Sequence, residues 1–182
     1  QMGHGWPVTG RLLKVGMRPT LGIDIATCNS GHLFQVMRTV LLVERAWAHD
    51  RADRGGYSVE RLPVNTQDAI EFATINGAKA LRLDSRIGSL TPGKDADIVM
   101  IRADNLEMAP LNNPVGAVVL AGHPGLVDTV WVAGRVVKRG GKLTGIDERQ
   151  VLGDLTRSRD YVLSKAGVKP GERFIPAPYR PR

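Results

Sequence analysis

The sequence predicts an α/β fold in which the closing segments of a β/α barrel lead into a small β domain. Three observations predict it. In residues 1–85, helical patterns lie on either side of a short alternating apolar run. Residues 86–145 hold a series of apolar strands punctuated by turn residues. Residues 146–182 hold one last helix and a basic tail.

TGRLLKVGMRPTLGIDIATCNSG reads as a short helix, a loop and a buried strand. Gly16 stands where a helix C-cap would, and Pro19 bars further helix. Leu21, Ile23 and Ile25 alternate with small or polar residues, so the strand ends near Asp24. HLFQVMRTVLLVERAWAHD carries Leu33, Phe34, Met37, Leu41 and Ala48 at helical spacing, with Arg38, Glu44 and Arg45 offset. That spacing predicts an amphipathic helix of about four to five turns, ending at His49. DRADRGGYSVERLP then reads as a polar loop with a Gly-Gly break.

From Asn65 the pattern sharpens. Thr66 suits an N-cap, and Asp68 and Glu71 lie early, where the helix dipole favours negative charge. Ile70, Ala73, Thr74, Gly77, Ala78 and Leu81 fall on one continuous helical face built largely of small residues, which predicts a closely docked helix. Thr91-Pro92-Gly93-Lys94 suits a type II turn, with Pro fixing φ at the first central position and Gly taking the positive φ at the second. Ile98 to Ile101 form the next strand, and AVVLAG and VDTVWVAGRVVKRGGKL read as further strands. Ala133-Gly134 fits a two-residue hairpin turn. The last helix runs through DERQVLGDLTRSRDYVLSKAG, with Gly167 as its C-cap.

Composition excludes several classes. Apolar residues make up 42% and charged residues 24%, as in ordinary globular domains. No apolar run is long enough to span a membrane. The N-terminus lacks a basic region followed by an apolar stretch, which argues against a secretory signal. A single cysteine, Cys28, forms no internal disulfide and fits a reducing compartment, so the expected location is cytoplasmic. The net charge is +7, and the stretch from Arg149 to Arg182 carries eight basic residues against three acidic ones. Those basic residues are dispersed and match no nucleic-acid motif, so the charge speaks to solubility rather than to nucleic acid as a partner. The opening QMGHGWP offers neither a helix cap nor a clean strand and reads as a segment from inside a longer protein.

TINGAKAL, IGSLTPGKDADIVMI and VDTVWVAGRVV together resemble the C-terminal signature of the amidohydrolase superfamily, nearest to its cytosine deaminase-like and chlorohydrolase-like metal-dependent hydrolases. The resemblance runs from about MGHGWP to about GGKL. It implies the last strand and flanking helices of an eight-stranded barrel in residues 1–85, the C-terminal strands of a composite β-sandwich in 86–145, and an appended helix and tail in 146–182. Arg82 departs from the glycine usual in the family after the Ala-Leu pair, which bears on a turn.

The resemblance also gives LGIDIATCNSG a role. Family members hold one or two divalent metals at the barrel mouth, ligated by a His-x-His pair on the first strand, histidines on the fifth and sixth, and an Asp at the end of the eighth. Asp24 matches that Asp, which binds metal and accepts a proton from water acidified by the metal. Asn29 and His4 are implied as substrate-side neighbours near the mouth. His32 stands where an acidic or amide residue is common.

Read without the family, an aspartate at a strand end is a cap or loop residue. His4, His32, His49 and His123 are isolated, so the chain supplies no recognised set of three or four zinc ligands. The expectation is therefore the C-terminal part of a metal-dependent hydrolase acting on C–N bonds by deaminating a nitrogen heterocycle. The complete enzyme would use zinc or iron and a small-molecule substrate, and the isolated chain would be inactive, hold no tight metal and form homo-oligomers. The alternative is a non-catalytic module that complements a separate N-terminal half.

Overall fold

The computed structural model describes residues 7–26 and 30–171. The chain divides into two compact units, Gln1–Thr144 and Gly145–Arg182.

In the first unit, α1 (Thr9–Lys14) precedes α2 (Leu33–Gly55), α3 (Thr66–Phe72) and α4 (Ile75–Ala80). Strand β1 (Ile98–Ile101), α5 (Pro114–Ala121), a 3₁₀ turn at Pro124–Leu126 and strands β2 (Val127–Val132), β3 (Arg135–Arg139) and β4 (Lys142–Leu143) follow. The strands form one antiparallel sheet in the order β1-β2-β3-β4. Ile98 lies opposite Trp131 and Val99 opposite Val130, with a bulge between Met100 and Ile101. Ala133 and Gly134 both have positive φ (47° and 79°), the conformation a tight β2–β3 hairpin requires. In the second unit, α6 (Glu148–Ala166) starts at an Asp147 cap and stops at Gly167, as the pattern predicts. No helix among the described residues is long and apolar enough to cross a membrane.

The core of the first unit lies where α2, α3 and α5 meet. Leu41, Val64, Ala69, Phe72 and Val119 are fully buried there, with Met37 and Val40 beside them. Four departures from the sequence reading have physical causes.

The second helix runs through DRADRG to a left-handed Gly56, because arginine, aspartate and alanine are compatible with helix and only the glycine breaks it. His49 is thus an exposed residue inside α2 rather than its end. Helix α3 is capped by Asn65 rather than Thr66. The Asn65 side chain accepts the Asp68 N–H (3.0 Å) and the Asp68 carboxylate accepts the Asn65 N–H (3.0 Å), a reciprocal capping box.

The predicted continuous face from Ile70 to Leu81 is broken at Thr74, which leaves helical geometry at ψ −96°. The break re-aims the second half: Asn76 and Ala78 become buried, whereas Leu81 is 70% exposed. Finally, AVVLAG is helix. Asn113 accepts the Gly116 N–H (2.8 Å) and Pro114 occupies the first turn, two start signals that outweigh the β-branched valines.

The turn at Thr91–Lys94 forms as read. The Lys94 N–H closes the turn on the Thr91 carbonyl (3.2 Å), with Gly93 at φ 92°. Arg82, the residue set apart by the resemblance, ends α4 in the left-handed region at φ 57°. That conformation costs a non-glycine residue about 1–2 kcal/mol, which accounts for glycine being usual there. Arg82→Gly is expected to stabilise the chain by about 1 kcal/mol, offset in part by the added chain entropy of glycine. Urea denaturation monitored by circular dichroism measures it; an unchanged or lower midpoint contradicts the assignment of strain.

Candidate functional site

Asp24 sits in an irregular segment between α1 and α2. The predicted strand at Leu21–Ile25 does not form, because among the described residues no strand lies alongside to complete a ladder. The Leu21 N–H instead donates to the Phe72 carbonyl at the end of α3 (3.2 Å). The segment is nonetheless fixed, from its N-terminal side.

Arg18 pairs with Asp68 (3.1 Å) and Glu71 (3.0 Å) on α3, and its guanidinium lies over the Phe72 ring, 5.0 Å from the centroid. The Pro19 carbonyl accepts a hydrogen bond from the Asn76 side chain (3.2 Å), a contact buried in the protein. Leu21 packs against the helical core. Chain geometry up to position 21 is therefore dictated by α3 and α4.

Asp24 emerges from this anchored approach with φ 63°, in the left-handed region, and is exposed. Aspartate tolerates that region better than most residues, but it remains sparsely populated, and such positions concentrate at functional sites. Asn29, Cys28 and His4 lie outside the described residues. His32 caps α2, its ring Nδ1 accepting the Gln35 N–H (3.3 Å). His123 accepts the Gly125 N–H at Nδ1 (3.1 Å), so its Nε2 carries the hydrogen donated to Glu107 (2.6 Å). Both histidines are thus engaged in capping.

Among the described residues, no three of His, Cys, Asp and Glu converge, so they do not by themselves fit a divalent metal. Asp24 offers one carboxylate. Two clefts lie elsewhere, one of about 530 Å³ beside Arg51, Tyr57 and Arg61, and one of about 240 Å³ where Glu44, Trp47 and Arg11 meet. Neither includes Asp24.

Sequence reasoning singled out Asp24 and did not identify Arg18 and Asn76, which hold the chain at residues 18 and 19. The available signal for Asn76 was a single amide within a helix otherwise made of small and apolar residues. Its meaning depended on the break at Thr74, which the periodicity concealed.

The amidohydrolase family model matches residues 3–137. The chain is 32% identical over 166 residues to a 5-methylthioadenosine/S-adenosylhomocysteine deaminase of Teredinibacter turnerae, covering 91% of this chain and 35% of that protein. It is 33% identical over 153 residues to a 5'-deoxyadenosine deaminase of Methanothermobacter thermautotrophicus, covering 84% of this chain and 33% of that protein. Among solved structures, an adenosine deaminase from Xanthomonas campestris with bound zinc superposes with a TM-score of 0.78 at 24% identity, over 90% of this chain and 35% of that one. Atrazine chlorohydrolase from Arthrobacter aurescens complexed with zinc gives 0.69 at 20% identity, over 86% and 33%. The chain thus spans about a third of the length of these relatives. With the family model matched over most of its length, the chain belongs to the amidohydrolase family.

Proposed function

We propose that this chain is the C-terminal part of a metal-dependent amidohydrolase that removes an amino group hydrolytically from a nitrogen heterocycle, within the class of adenine nucleosides. The substrate class rests on the names of the relatives, which are deaminases of 5-methylthioadenosine, S-adenosylhomocysteine and 5'-deoxyadenosine. In this reading residues 1–85 close a β/α barrel, 86–145 contribute strands to a composite sandwich, and 146–182 form an appended helix and tail. The expected location is cytoplasmic.

Asp24 is the residue this chain brings to the reacting centre. A carboxylate there serves as a ligand for zinc or iron and as the acceptor of a proton from the attacking water. The observation that carries the assignment is the left-handed Asp24 backbone at the end of an approach fixed by α3 and α4. A loop aspartate with only a capping role needs neither. The other metal ligands come from outside the described residues, so turnover requires the rest of the protein.

In the complete enzyme, Asp24→Asn is expected to retain the fold and lower turnover by about a hundred- to ten-thousand-fold, the usual contribution of a general base. Steady-state deamination of 5'-deoxyadenosine, with circular dichroism as the fold control, decides it. Near-normal turnover removes Asp24 from the mechanism.

The isolated chain is expected to hold no stoichiometric zinc or iron after exhaustive dialysis. Elemental analysis that finds a tightly held ion on every chain would overturn the division of ligands proposed here.

The open edge of the sheet leads to an assembly prediction. Among the described residues β1 is one of the two outer strands, and Ile98, Val99, Met100 and Ile101 give it no charged residue to discourage pairing. Val99 is 54% and Met100 47% exposed. Such an edge recruits further strands. The isolated chain is expected to be a homo-oligomer by light scattering at low micromolar concentration, and a stable monomer counts against an open edge.

A further inference from the structure

We propose that Asn76 is the positioning residue for Asp24, setting the reach and direction of the loop that carries it. The inference rests on the reading of Asp24 as the reacting carboxylate and adds the residue that acts through the backbone to place it.

Proline has no N–H, so the carbonyl is Pro19's only backbone polar group, and Pro19 is buried. A buried carbonyl left unpaired is costly. Asn76, 5% exposed, meets that need through its Nδ2 at 3.2 Å. The bond joins positions 57 residues apart and lies five residues before Asp24.

Other contacts hold the same approach, among them the Arg18 guanidinium over the Phe72 ring and the packing of Leu21 against the core. The ion pairs of Arg18 are partly solvated, with the arginine side chain 47% exposed, and solvent screening weakens pairs of this kind. The Leu21 N–H bond to the Phe72 carbonyl holds the chain two residues after Pro19. The Asn76 bond stands out among them as a buried side-chain hydrogen bond to the carbonyl of a residue that has no N–H of its own. Its existence depends on the break at Thr74, which turns Asn76 inward while Leu81 swings out. The Thr74 hydroxyl donates to the Ile70 carbonyl (2.7 Å), which secures the end of α3 at that break.

Geometry also limits the substitutes. Alanine removes the donor and leaves a void, whereas aspartate keeps the shape and turns an acceptor toward the carbonyl. Both should release the approach.

Amide hydrogen exchange and ¹⁵N relaxation on the 182-residue chain test the proposal, with Asn76→Ala and Asn76→Asp compared against Gly134→Ala. Gly134 is in the β2–β3 hairpin turn at φ 79°, and an added Cβ there meets nothing within 4 Å, so this control loses stability through its backbone alone. In both Asn76 variants, exchange at the Leu21 amide is expected to rise at least about tenfold beyond the change in global stability, in the ratio that 1.4 kcal/mol of local opening gives. The Ile23 and Asp24 amides should gain fast motion, and the control should show neither effect. If Leu21 exchange rises only in step with global stability, as in the control, Asn76 is an ordinary core residue and the proposal fails. The measurement needs neither metal nor turnover, so loss of the catalytic reading of Asp24 would leave its outcome unchanged and separately visible.

Discussion

The burial of Phe72 at the junction of α2, α3 and α5 is the constraint from which the rest of the first unit follows. Its ring is fully buried among Leu41, Val64 and Val119, and removing a side chain of that size from such a core costs about 3–5 kcal/mol. The same residue serves the candidate site three ways. Its ring receives the Arg18 guanidinium, its carbonyl receives the Leu21 N–H, and its helix carries the Asp68 and Glu71 partners of Arg18. The hydrophobic core and the aspartate loop are therefore not separable in energy.

A second constraint is electrostatic. Glu44 is 1% exposed, on the face of α2 that meets α1, and its Oε1 accepts the Gly10 N–H at 2.8 Å. A first-turn N–H of a helix lacks an intrahelical acceptor, so the carboxylate supplies one and α1 is docked by its start. A Cβ at position 10 would lie 2.2 Å from Glu44 Oε2, so a larger residue there would make the carboxylate shift. Helices α1 and α2 flank the Asp24 segment in sequence, and this contact sets one against the other. A buried carboxylate is costly unless paired, which makes the contact a condition of the packing rather than an addition to it.

The stretch from Thr74 to Ile101 has no His or Cys, yet it bears on the candidate site through structure. Asn76 holds the Pro19 carbonyl. The Lys94 ammonium is donated to the Asp84 and Ile87 carbonyls, gathering the loop after α4. Asp95 pairs with Arg86 at 2.8 Å, and Asp97 accepts the Ala133 N–H at 2.7 Å, bracing the hairpin turn across the sheet. Charged residues within a turn motif thus act as ties between segments, which explains how a stretch without chemistry can be diagnostic of a family of enzymes.

What the sequence by itself determined was what local physics determines. The type II turn at Pro92-Gly93, the Ala133-Gly134 hairpin, the start of β1 and the span of α6 depend on neighbouring residues, and they formed as read. The resemblance of the surrounding motifs singled out Asp24, which is proposed for the site, and set Arg82 apart from the usual glycine, a position that proves to have a φ of 57°. Tertiary structure decided the rest. Leu21 to Ile25 has the alternation of a strand, but a strand exists only as a ladder, and the Leu21 N–H finds a helix carbonyl instead. Glu44 looked like a solvent-facing residue until α1 brought an unpaired N–H to it. Asn76 acquired its role only when the chain broke at Thr74 and Pro19 arrived from 57 residues away. Hydrogen-bond demand at long range is a property of the folded backbone, and no periodicity in the sequence encodes which distant carbonyl a given amide will meet.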